Sequence, residues 1–297
     1  MIYRTRRVVT TRLTTSKIIC RYRGRAGAQA AVEAATSASV GHRVEAGVTA
    51  SPCERSIAGR IVDPRAACWV ARTNTIHQGR ELPPRMIVTV DPSLQSAIDA
   101  LSFPGIMIGH RLISPGDEDA LLPEEAPAFA LSVVKVRRAS GAARIVARQL
   151  LKRLGQPECA LPRTSGGAPA WPAGVVGSLA HDSRVAVAAV GMGRDVGAVG
   201  IDVEPAESLP SELLDLVATP QERLRLGDDP YHGRLLFVAK EAVYKAVYPL
   251  DQTFLDHHDV QVSFAERKAI VRNGRVVELR FCIAAHLVAL AFLPNLR

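Results

Sequence analysis

Cysteine is scarce in this sequence, and no two cysteines form a CxxC pair. The five that occur are an odd number spread over 297 residues: Cys20, Cys53, Cys68, Cys159 and Cys282. This pattern argues against a disulfide framework and against a zinc site, because both need paired or closely spaced cysteines. The sequence therefore favours a protein of the reducing cytoplasm.

Long apolar runs are absent as well. A membrane-spanning helix needs roughly 18 or more apolar residues in succession, whereas the best candidate, residues 283–293, is shorter and contains His286. No apolar secretory segment follows the N-terminal arginines. We therefore expect no membrane partner and interpret residues 283–293 as a buried strand or helix.

Acidic residues are rare in the first part of the chain, where none precedes Glu33. Residues 1–85 carry 15 basic and five acidic side chains, a net charge of +10, whereas residues 86–297 carry 22 basic and 24 acidic ones. Three interpretations of residues 1–85 stay open: a disordered extension, a translation start placed too early before Met86, or an organellar transit peptide.

Such a basic arm suggests nucleic-acid binding as an alternative function for the chain. Aromatic residues, on which bases stack, make up only 5% of the sequence, and no nucleic-acid recognition motif is present. We therefore expect no nucleic-acid partner.

From Met86 onward the pattern indicates mixed helices and strands. A basic amphipathic stretch at 134–155 predicts a helix that ends with Gly155 as its C-cap. A proline- and glycine-rich connection at 163–178 follows. We predict further helices at 208–225 and 231–247, and strands at 184–190, 196–203, 260–264, 268–271, 276–283 and 286–292.

Two turns and one helix face follow from the same patterns. Residues 191–193 (GMG) predict a hairpin between the strands at 184–190 and 196–203, and Asn273–Gly274 predicts another hairpin. In the helix at 134–155 the apolar residues form one stripe, so that Arg144 and Arg148 lie on a neighbouring face.

Residues 200–204 (GIDVE) contain two acids two positions apart. In a strand, alternate side chains share a face, so Asp202 and Glu204 point together while Ile201 and Val203 pack behind them. Two neighbouring carboxylates repel each other, and without a cation they are costly to hold near a core. Oxygen ligands favour a hard ion, Mg²⁺ or Mn²⁺. The plainer interpretation is a solvated strand face.

Residues 237–245 (FVAKEAVYK) place several charges on one helix. Glu241 and Lys245 are i,i+4 neighbours on a common face, and Lys240 lies about 100° away around the helix. One interpretation is an ordinary surface salt bridge. The other is a third carboxylate and two ammonium groups that are directed at a phosphate.

Residues 177–182 (GSLAHD) contain Ser178 and His181 and follow the segment PAWP at 169–172. A serine near a histidine suggests hydrolase chemistry, but no GxSxG elbow surrounds Ser178. We interpret this stretch as a loop in which His181 is either structural or a donor to a phosphate.

In this order the three motifs resemble those of the 4′-phosphopantetheinyl transferase superfamily, in particular the enterobactin synthetase component D type. That family has P-x-W-P and G-S-(I/L)-(S/T)-H motifs, then a G-I-D-x-E strand, then a helix close to (F/W)-S-x-K-E-(S/A)-x-Y-K. It also has an arginine at the start of a helix that closes with glycine, which Arg144 and Gly155 match. The likeness covers roughly residues 95–295.

The resemblance implies an α+β fold of two similar, pseudo-symmetric α/β halves, at 86–190 and 191–297, after a basic extension of low order at 1–85. It implies transfer of the 4′-phosphopantetheine group of coenzyme A, the co-substrate, to a serine of an apo acyl or peptidyl carrier protein, with release of 3′,5′-ADP. The reaction would depend on Mg²⁺, which Mn²⁺ could replace. We expect a monomer, an acidic carrier protein as its partner, and a role in siderophore or other secondary metabolism.

The resemblance also implies roles for individual residues. Asp202, Glu204 and Glu241 would hold the metal. Glu222, or a hydroxide on the metal, would be the general base, and Lys245 would stabilise or protonate the leaving group. Coenzyme A would be bound by Arg137, Arg138, Arg144, Ser178, His181, Lys240 and Lys245. The carrier protein would dock on Arg223, Arg225 and Arg234.

Some residues depart from the family pattern. Ala180 replaces the Ser or Thr that family members often carry before the histidine, and Ala139–Ser140 replaces a usual Glu-Phe. Glu222 has a second interpretation besides the base, as an acid near a helix N-terminus that the helix dipole stabilises.

Overall fold

The computed structural model describes residues 89–295, so the predictions for residues 1–85 lie outside the described residues. The helices are α1 (Pro92–Asp99), α2 (Val134–Arg153), α3 (Ser211–Val217), α4 (Pro220–Arg225) and α5 (His232–Asp251). The strands are β1 (Ile106–Leu112), β2 (Val175–His181), β3 (Val185–Met192), β4 (Val196–Pro205), β5 (Val260–Ser263), β6 (Lys268–Val271), β7 (Val276–Ile283) and β8 (His286–Pro294). Short 3-10 turns lie at Asp117–Ala120, Ala126–Phe129 and His257–Asp259. None of the helices in residues 89–295 combines the length and the apolar character that crossing a membrane requires.

The strands form two antiparallel sheets, which confirms the predicted α+β class. The first has the order β1-β3-β2 and the second the order β4-β8-β7-β6-β5. The predicted hairpin between β3 and β4 is wrong, because β3 pairs with β1 and β2 while β4 pairs with β8. The hairpin predicted at Asn273–Gly274 does join β6 to β7, and Gly274 has the positive φ, 84°, that this turn requires.

Residues 177–181, interpreted from the sequence as loop, belong to strand β2. Likewise the predicted helix at 208–225 is two short helices, since Ala218 adopts an extended backbone and Pro220 opens α4. The boundary predicted between residues 190 and 191 falls near the connection from β3 to β4, hence between the two sheets. The division into two halves stays a prediction.

Helix α2 ends as its sequence predicts. Gly155 adopts a φ of 74°, and the N–H of Gln156 donates to the carbonyl oxygen of Leu151, a Schellman-type termination. Val146 and Leu150 of the predicted stripe are buried against Ala188 and Val190 of β3. The helix therefore covers the outer face of the first sheet.

The two sheets pack on each other, and α5 covers the outer face of the second. Val187 of β3 shares a buried cluster with Ile201 and Val203 of β4, as the alternation in GIDVE predicts. On the other side of the second sheet, residues of β8 such as Ala289 pack against α5. The order of layers is thus α2, first sheet, second sheet, α5.

Gly200 allows α5 to lie directly on β4. A Cβ atom at position 200 would clash with the carbonyl oxygen of Ala242 in α5. Because alternate residues of a strand share a face, the next two side chains on this face, Asp202 and Glu204, are directed at α5. Both are buried, and this close packing determines which helical side chains they meet.

Candidate active site

A cavity of about 680 Å³ opens between α5 and β2, an edge strand of the first sheet. Its wall combines the predicted motifs: the segment 164–171, which includes the first three residues of PAWP, residues 177–179 of β2, and one face of α5 that carries Glu241 and Lys245. This volume lies within the range of small-molecule sites, about 300–1,000 Å³. The prolines, Trp171, Tyr244 and Tyr248 make much of the wall apolar.

Gly177 permits the tryptophan of the PAWP segment to lie against β2. A Cβ atom at this position would be 2.8 Å from the ring of Trp171. The next residue, Ser178, is buried and lines the same cavity. The small residue and the aromatic ring therefore shape the wall beside the serine hydroxyl.

Lys245 joins the two sheets beneath the cavity. Its ammonium donates to Asp202 Oδ1 at 2.7 Å, to the carbonyl oxygen of Ile201 at 3.2 Å and to that of Leu179 at 3.4 Å. Asp202 is fully buried, whereas the Lys245 side chain is 28% exposed. The lysine thus neutralises the buried carboxylate while part of it remains accessible from the cavity.

Glu204, the second acid of GIDVE, meets a different cation. Arg234 Nη1 lies 3.2 Å from Glu204 Oε2, and the same guanidinium donates to the carbonyl oxygens of Glu207 and Ser208. Arg234 is buried, so it is not on the surface where the sequence places it as a docking charge.

Glu241 is on the cavity wall and is mostly buried. Its Oε1 lies 3.0 Å from Nε2 of His257, a contact that sequence reasoning did not identify. Lys245, which pairs with Asp202, follows Glu241 by four residues on α5 and lines the same cavity. Within residues 89–295, however, no three side chains of the His, Cys, Asp and Glu types are grouped closely enough to hold a metal ion.

His181 ends β2, half-buried, with Nδ1 3.4 Å from the carbonyl oxygen of Asp182. Asp182 is itself held in place: its Oδ1 accepts the N–H groups of Arg184 and Val185, and Oδ2 is 3.1 Å from His286 Nε2. Burial alone would raise the pKa of Asp182, but contact with His286 and the backbone hydrogen bonds outweigh it and hold that pKa below its ordinary value. This carboxylate therefore stabilises the turn that carries His181.

Lys240 does not line the cavity but lies in the core. Its ammonium donates to Glu222 Oε2 at 2.6 Å and to the carbonyl oxygens of Val217 and His257, each at 2.8 Å. The placement does not support the predicted phosphate contact, because all three acceptors are protein groups and the side chain is fully buried.

Glu222, the predicted general base, is also buried away from the cavity. It forms a capping box with Thr219 at the start of α4, and its Oε1 accepts the N–H of Val262 at 2.8 Å. This arrangement supports the alternative that it stabilises a helix N-terminus.

The three arginines predicted to bind coenzyme A lie on α2, and each has a hydrogen-bond partner within the protein. Arg137 donates to the carbonyl oxygen of Ser132, and Arg138 forms a bidentate pair with Glu118. Arg144 is buried rather than on an open face. It donates to the carbonyl oxygen of Leu161, and burial lowers its pKa to about 10, so it stays charged at neutral pH.

The sequence motifs did not identify every residue of this region. Tyr248 lies outside the motif at 237–245, whereas Tyr244 belongs to it. Both line the cavity, about one and two turns after Glu241 on α5, and their rings lie 5.3 Å apart. Their spacing of four residues in the α5 sequence was the available signal. No sequence pattern indicated His257, because its contact with Glu241 spans 16 positions in the chain.

Comparison with known proteins agrees with these motifs. Residues 124–191 match the family described as 4′-phosphopantetheinyl transferase N-terminal domain, and residues 198–290 match the 4′-phosphopantetheinyl transferase superfamily. The chain is 41% identical over 197 residues to 4′-phosphopantetheinyl transferase PptT of Mycobacterium tuberculosis, covering 64% of this chain and 85% of that protein. It is 38% identical over 182 residues to 4′-phosphopantetheinyl transferase Npt of Nocardia iowensis, covering 60% and 77% respectively. Enterobactin synthase component D of Escherichia coli is a more distant relative, 35% identical over 112 residues, or 35% of this chain and 52% of that protein.

Proposed function

This chain belongs to the 4′-phosphopantetheinyl transferase superfamily, and from that premise we propose that it transfers the 4′-phosphopantetheine group of coenzyme A to a serine of an apo carrier protein. The reaction would depend on Mg²⁺ and release 3′,5′-ADP. The observation that carries the proposal is the cavity, in whose wall Ser178 of the motif at 177–182 meets Glu241 and Lys245 of the motif at 237–245.

The wall of the cavity supports coenzyme A as its occupant. Trp171, Tyr244 and Tyr248 offer apolar surface to the pantetheine arm or the adenine, and Ser178 offers a hydroxyl to a phosphate. Lys245 brings a partly exposed positive charge to the same wall. A long ligand whose diphosphate lies between an adenine ring and a pantetheine arm suits this distribution.

The proposed reaction is a phosphoryl transfer. The hydroxyl of the carrier serine loses its proton to solvent water, and its oxygen forms a bond to the phosphorus that bears the pantetheine. The bond from that phosphorus to the bridging oxygen of the diphosphate breaks. The negative charge develops on the departing 3′,5′-ADP, to which Lys245 would donate a hydrogen bond or a proton. Positioning and charge neutralisation supply most of the catalysis in reactions of this type.

The chemistry of the acids fits a hard divalent cation, although their side chains do not form one cluster. Asp202 and Glu204 share the face of β4 that α5 covers, and Glu241 lies on α5 itself. All three offer only oxygen atoms, which Mg²⁺ prefers. These residues would hold the ion, which when bound would neutralise the diphosphate oxygens.

The carrier protein would dock near α4. Leu224 is 89% exposed there, and it is flanked by Arg223 and Arg225. Arg223 contacts Asp215, whereas Arg225 is exposed. A basic rim of this kind would attract an acidic partner and raise the rate of association more than the final affinity. Arg234 is left out of this surface because it is buried against Glu204.

Replacing Glu241 by glutamine tests the proposal most simply. The amide keeps the size of the side chain but removes the charge, so we expect Mg²⁺-dependent transfer to fall at least 100-fold with the thermal stability little changed. Glu266→Gln is the matched control, since Glu266 is an exposed acid on the turn between β5 and β6. Full activity in Glu241→Gln would remove Glu241 from the site.

A second test concerns the 3′-phosphate of coenzyme A. If His181 binds this phosphate, His181→Ala raises the KM for coenzyme A much more than the KM for dephospho-coenzyme A, which lacks the group. An equal effect on both substrates would instead assign His181 to the support of the turn at Asp182.

A further inference from the structure

His257 lies behind the cavity wall and contacts Glu241, yet no part of the proposed reaction uses it. Its side chain is completely buried, and its Nε2 is 3.0 Å from Glu241 Oε1. Glu241 faces the cavity and is 12% exposed. The histidine is therefore on the protein side of a carboxylate whose other side faces the substrate.

The direction of this hydrogen bond follows from its two partners. When the Glu241 carboxylate is ionised it has no proton to donate, and Nε2 of His257 is then the donor, whether the ring is neutral or charged. The bond engages Oε1 and limits the rotation of the Glu241 side chain. A glutamate on a helix surface would otherwise exchange among several rotamers.

The backbone around His257 is fixed by contacts of its own. Asp256 caps the 3-10 turn His257–Asp259 through the N–H groups of His258 and Asp259. The carbonyl oxygen of His257 accepts a hydrogen bond from Lys240, the buried lysine that also pairs with Glu222. The ion pair of Lys240 and Glu222 thus anchors the turn that presents the histidine.

The ring of His257 is held as well. It packs against Phe237, one turn before Glu241 on α5, with ring centroids 5.5 Å apart. Phe237, which contacts the ring, and Lys240, which contacts the backbone, both belong to α5, the helix that carries Glu241. The distance from His257 to Glu241 is therefore set within one compact group of residues.

We propose that His257 is a positioning residue, which holds the Glu241 carboxylate at the cavity wall in the orientation needed to bind a divalent cation. The inference rests on the proposed function, because it assumes that Glu241 is a ligand of that cation. Carboxylates that ligate metals are in turn hydrogen-bonded by neighbouring groups, and losing such a partner typically costs about 10- to 100-fold in metal affinity or activity.

Two substitutions separate the hydrogen bond from the packing of the ring. His257→Phe keeps an aromatic ring against Phe237 but has no donor, whereas His257→Gln keeps an N–H donor at a similar reach and loses the ring. Binding of Mn²⁺ to the full chain, followed by electron paramagnetic resonance, measures cation affinity without transfer activity. We expect about 10- to 100-fold weaker Mn²⁺ binding in His257→Phe and recovery to within roughly threefold of the unmodified protein in His257→Gln.

The outcomes separate this inference from the proposed function. If Glu241→Gln loses Mn²⁺ binding while His257→Phe binds Mn²⁺ as the unmodified chain does, His257 is not a positioning residue and the proposed function stands. If Glu241→Gln itself binds Mn²⁺ and transfers at full rate, the assignment of Glu241 fails first. Weak binding in both His257 variants, with equal losses of melting temperature, would assign the histidine to packing alone.

A measurement on the unmodified chain applies even if His257→Phe does not fold. In protein labelled with ¹⁵N-histidine, His257 should give an Nε2–H signal that exchanges slowly with solvent, since the group is buried against a carboxylate. Glu241→Gln should shift this signal. A ring protonated only on Nδ1, or an Nε2–H signal that is insensitive to Glu241→Gln, would overturn the proposal.

Discussion

Replacing Lys240 by methionine distinguishes a core residue from a substrate-binding one. The ammonium and the Glu222 carboxylate are 2.6 Å apart, and both side chains are buried. Removing one partner of a buried ion pair leaves the other charge uncompensated and costs about 3–5 kcal/mol. In a domain of this size each kcal/mol lowers Tm by about 2–4 °C. We therefore expect Lys240→Met to lower Tm by about 6–20 °C.

Thermal denaturation of two further variants identifies the cause of that loss. In the double variant Lys240→Met with Glu222→Gln, the amide carries no charge but can still accept the N–H of Val262, so we expect part of the stability to return. Lys268→Met is the matched surface control. Its partner Glu278 lies 3.6 Å away in an exposed pair, and breaking such a pair costs only about 0–1 kcal/mol.

The kinetics of Lys240→Met complete the test. Because Lys240 does not line the cavity, the KM for coenzyme A measured well below the melting transition should stay within about threefold of that of the unmodified chain. An unchanged Tm together with a KM at least tenfold higher would contradict a core role and make Lys240 a phosphate ligand, as the sequence motif predicts.

Three other predictions follow from the packing and the charges. Gly200→Ala brings a methyl group against the carbonyl oxygen of Ala242 and should cost about 1–3 kcal/mol or more of unfolding free energy in denaturant titrations; an unchanged midpoint would contradict the close approach of β4 and α5. Burial raises the pKa of the Cys282 thiol to about 11, so the reactive thiolate forms only as the pH rises towards that value. At pH 8, alkylation of Cys282 followed by peptide mass spectrometry should be at least roughly tenfold slower than that of N-acetylcysteine, and an equal rate would place the thiol in solvent. A chain that begins at Met86 should retain transfer activity because every motif lies beyond it, and loss of activity without unfolding would assign a catalytic role to residues 1–85.

Local sequence patterns correctly predicted the features that depend on neighbouring residues, such as a helix end and a tight turn. The end of α2 at Gly155 depends on neighbouring residues and was predicted correctly, as was the turn at Asn273–Gly274. The pairing of β3 is different. Its glycine-rich turn suggested a hairpin with β4, but β1 and β2 occupy both edges of β3, and strand pairing between distant segments is not encoded in a turn.

At the candidate site, too, local patterns predicted which residues share a face but not which distant groups they contact. Alternation in β4 predicted that Asp202 and Glu204 share a face and that Ile201 and Val203 pack behind them, and the structure confirms this packing. Helical spacing placed Lys240 near Glu241 but did not show that its ammonium extends into the core.

For Arg144 and Glu241, the structure differs from the sequence prediction because their partners lie in distant segments of the chain. Arg144 is buried, and the carbonyl oxygen of Leu161, 17 positions away, accepts its hydrogen bonds. Glu241 meets His257 across 16 positions. Such partners become apparent only when the packing of the segments is known.

We propose that phosphopantetheine is transferred from coenzyme A at the cavity beside Glu241 and Lys245. Incubating the chain with coenzyme A, Mg²⁺ and a panel of apo carrier proteins, followed by intact-protein mass spectrometry, tests it directly. We expect at least one carrier to gain the mass of a single phosphopantetheine group, to require its acceptor serine, and to gain nothing with Glu241→Gln. If no carrier gains this mass with the folded, unmodified chain, or if Glu241→Gln modifies the carrier equally well, the account is contradicted.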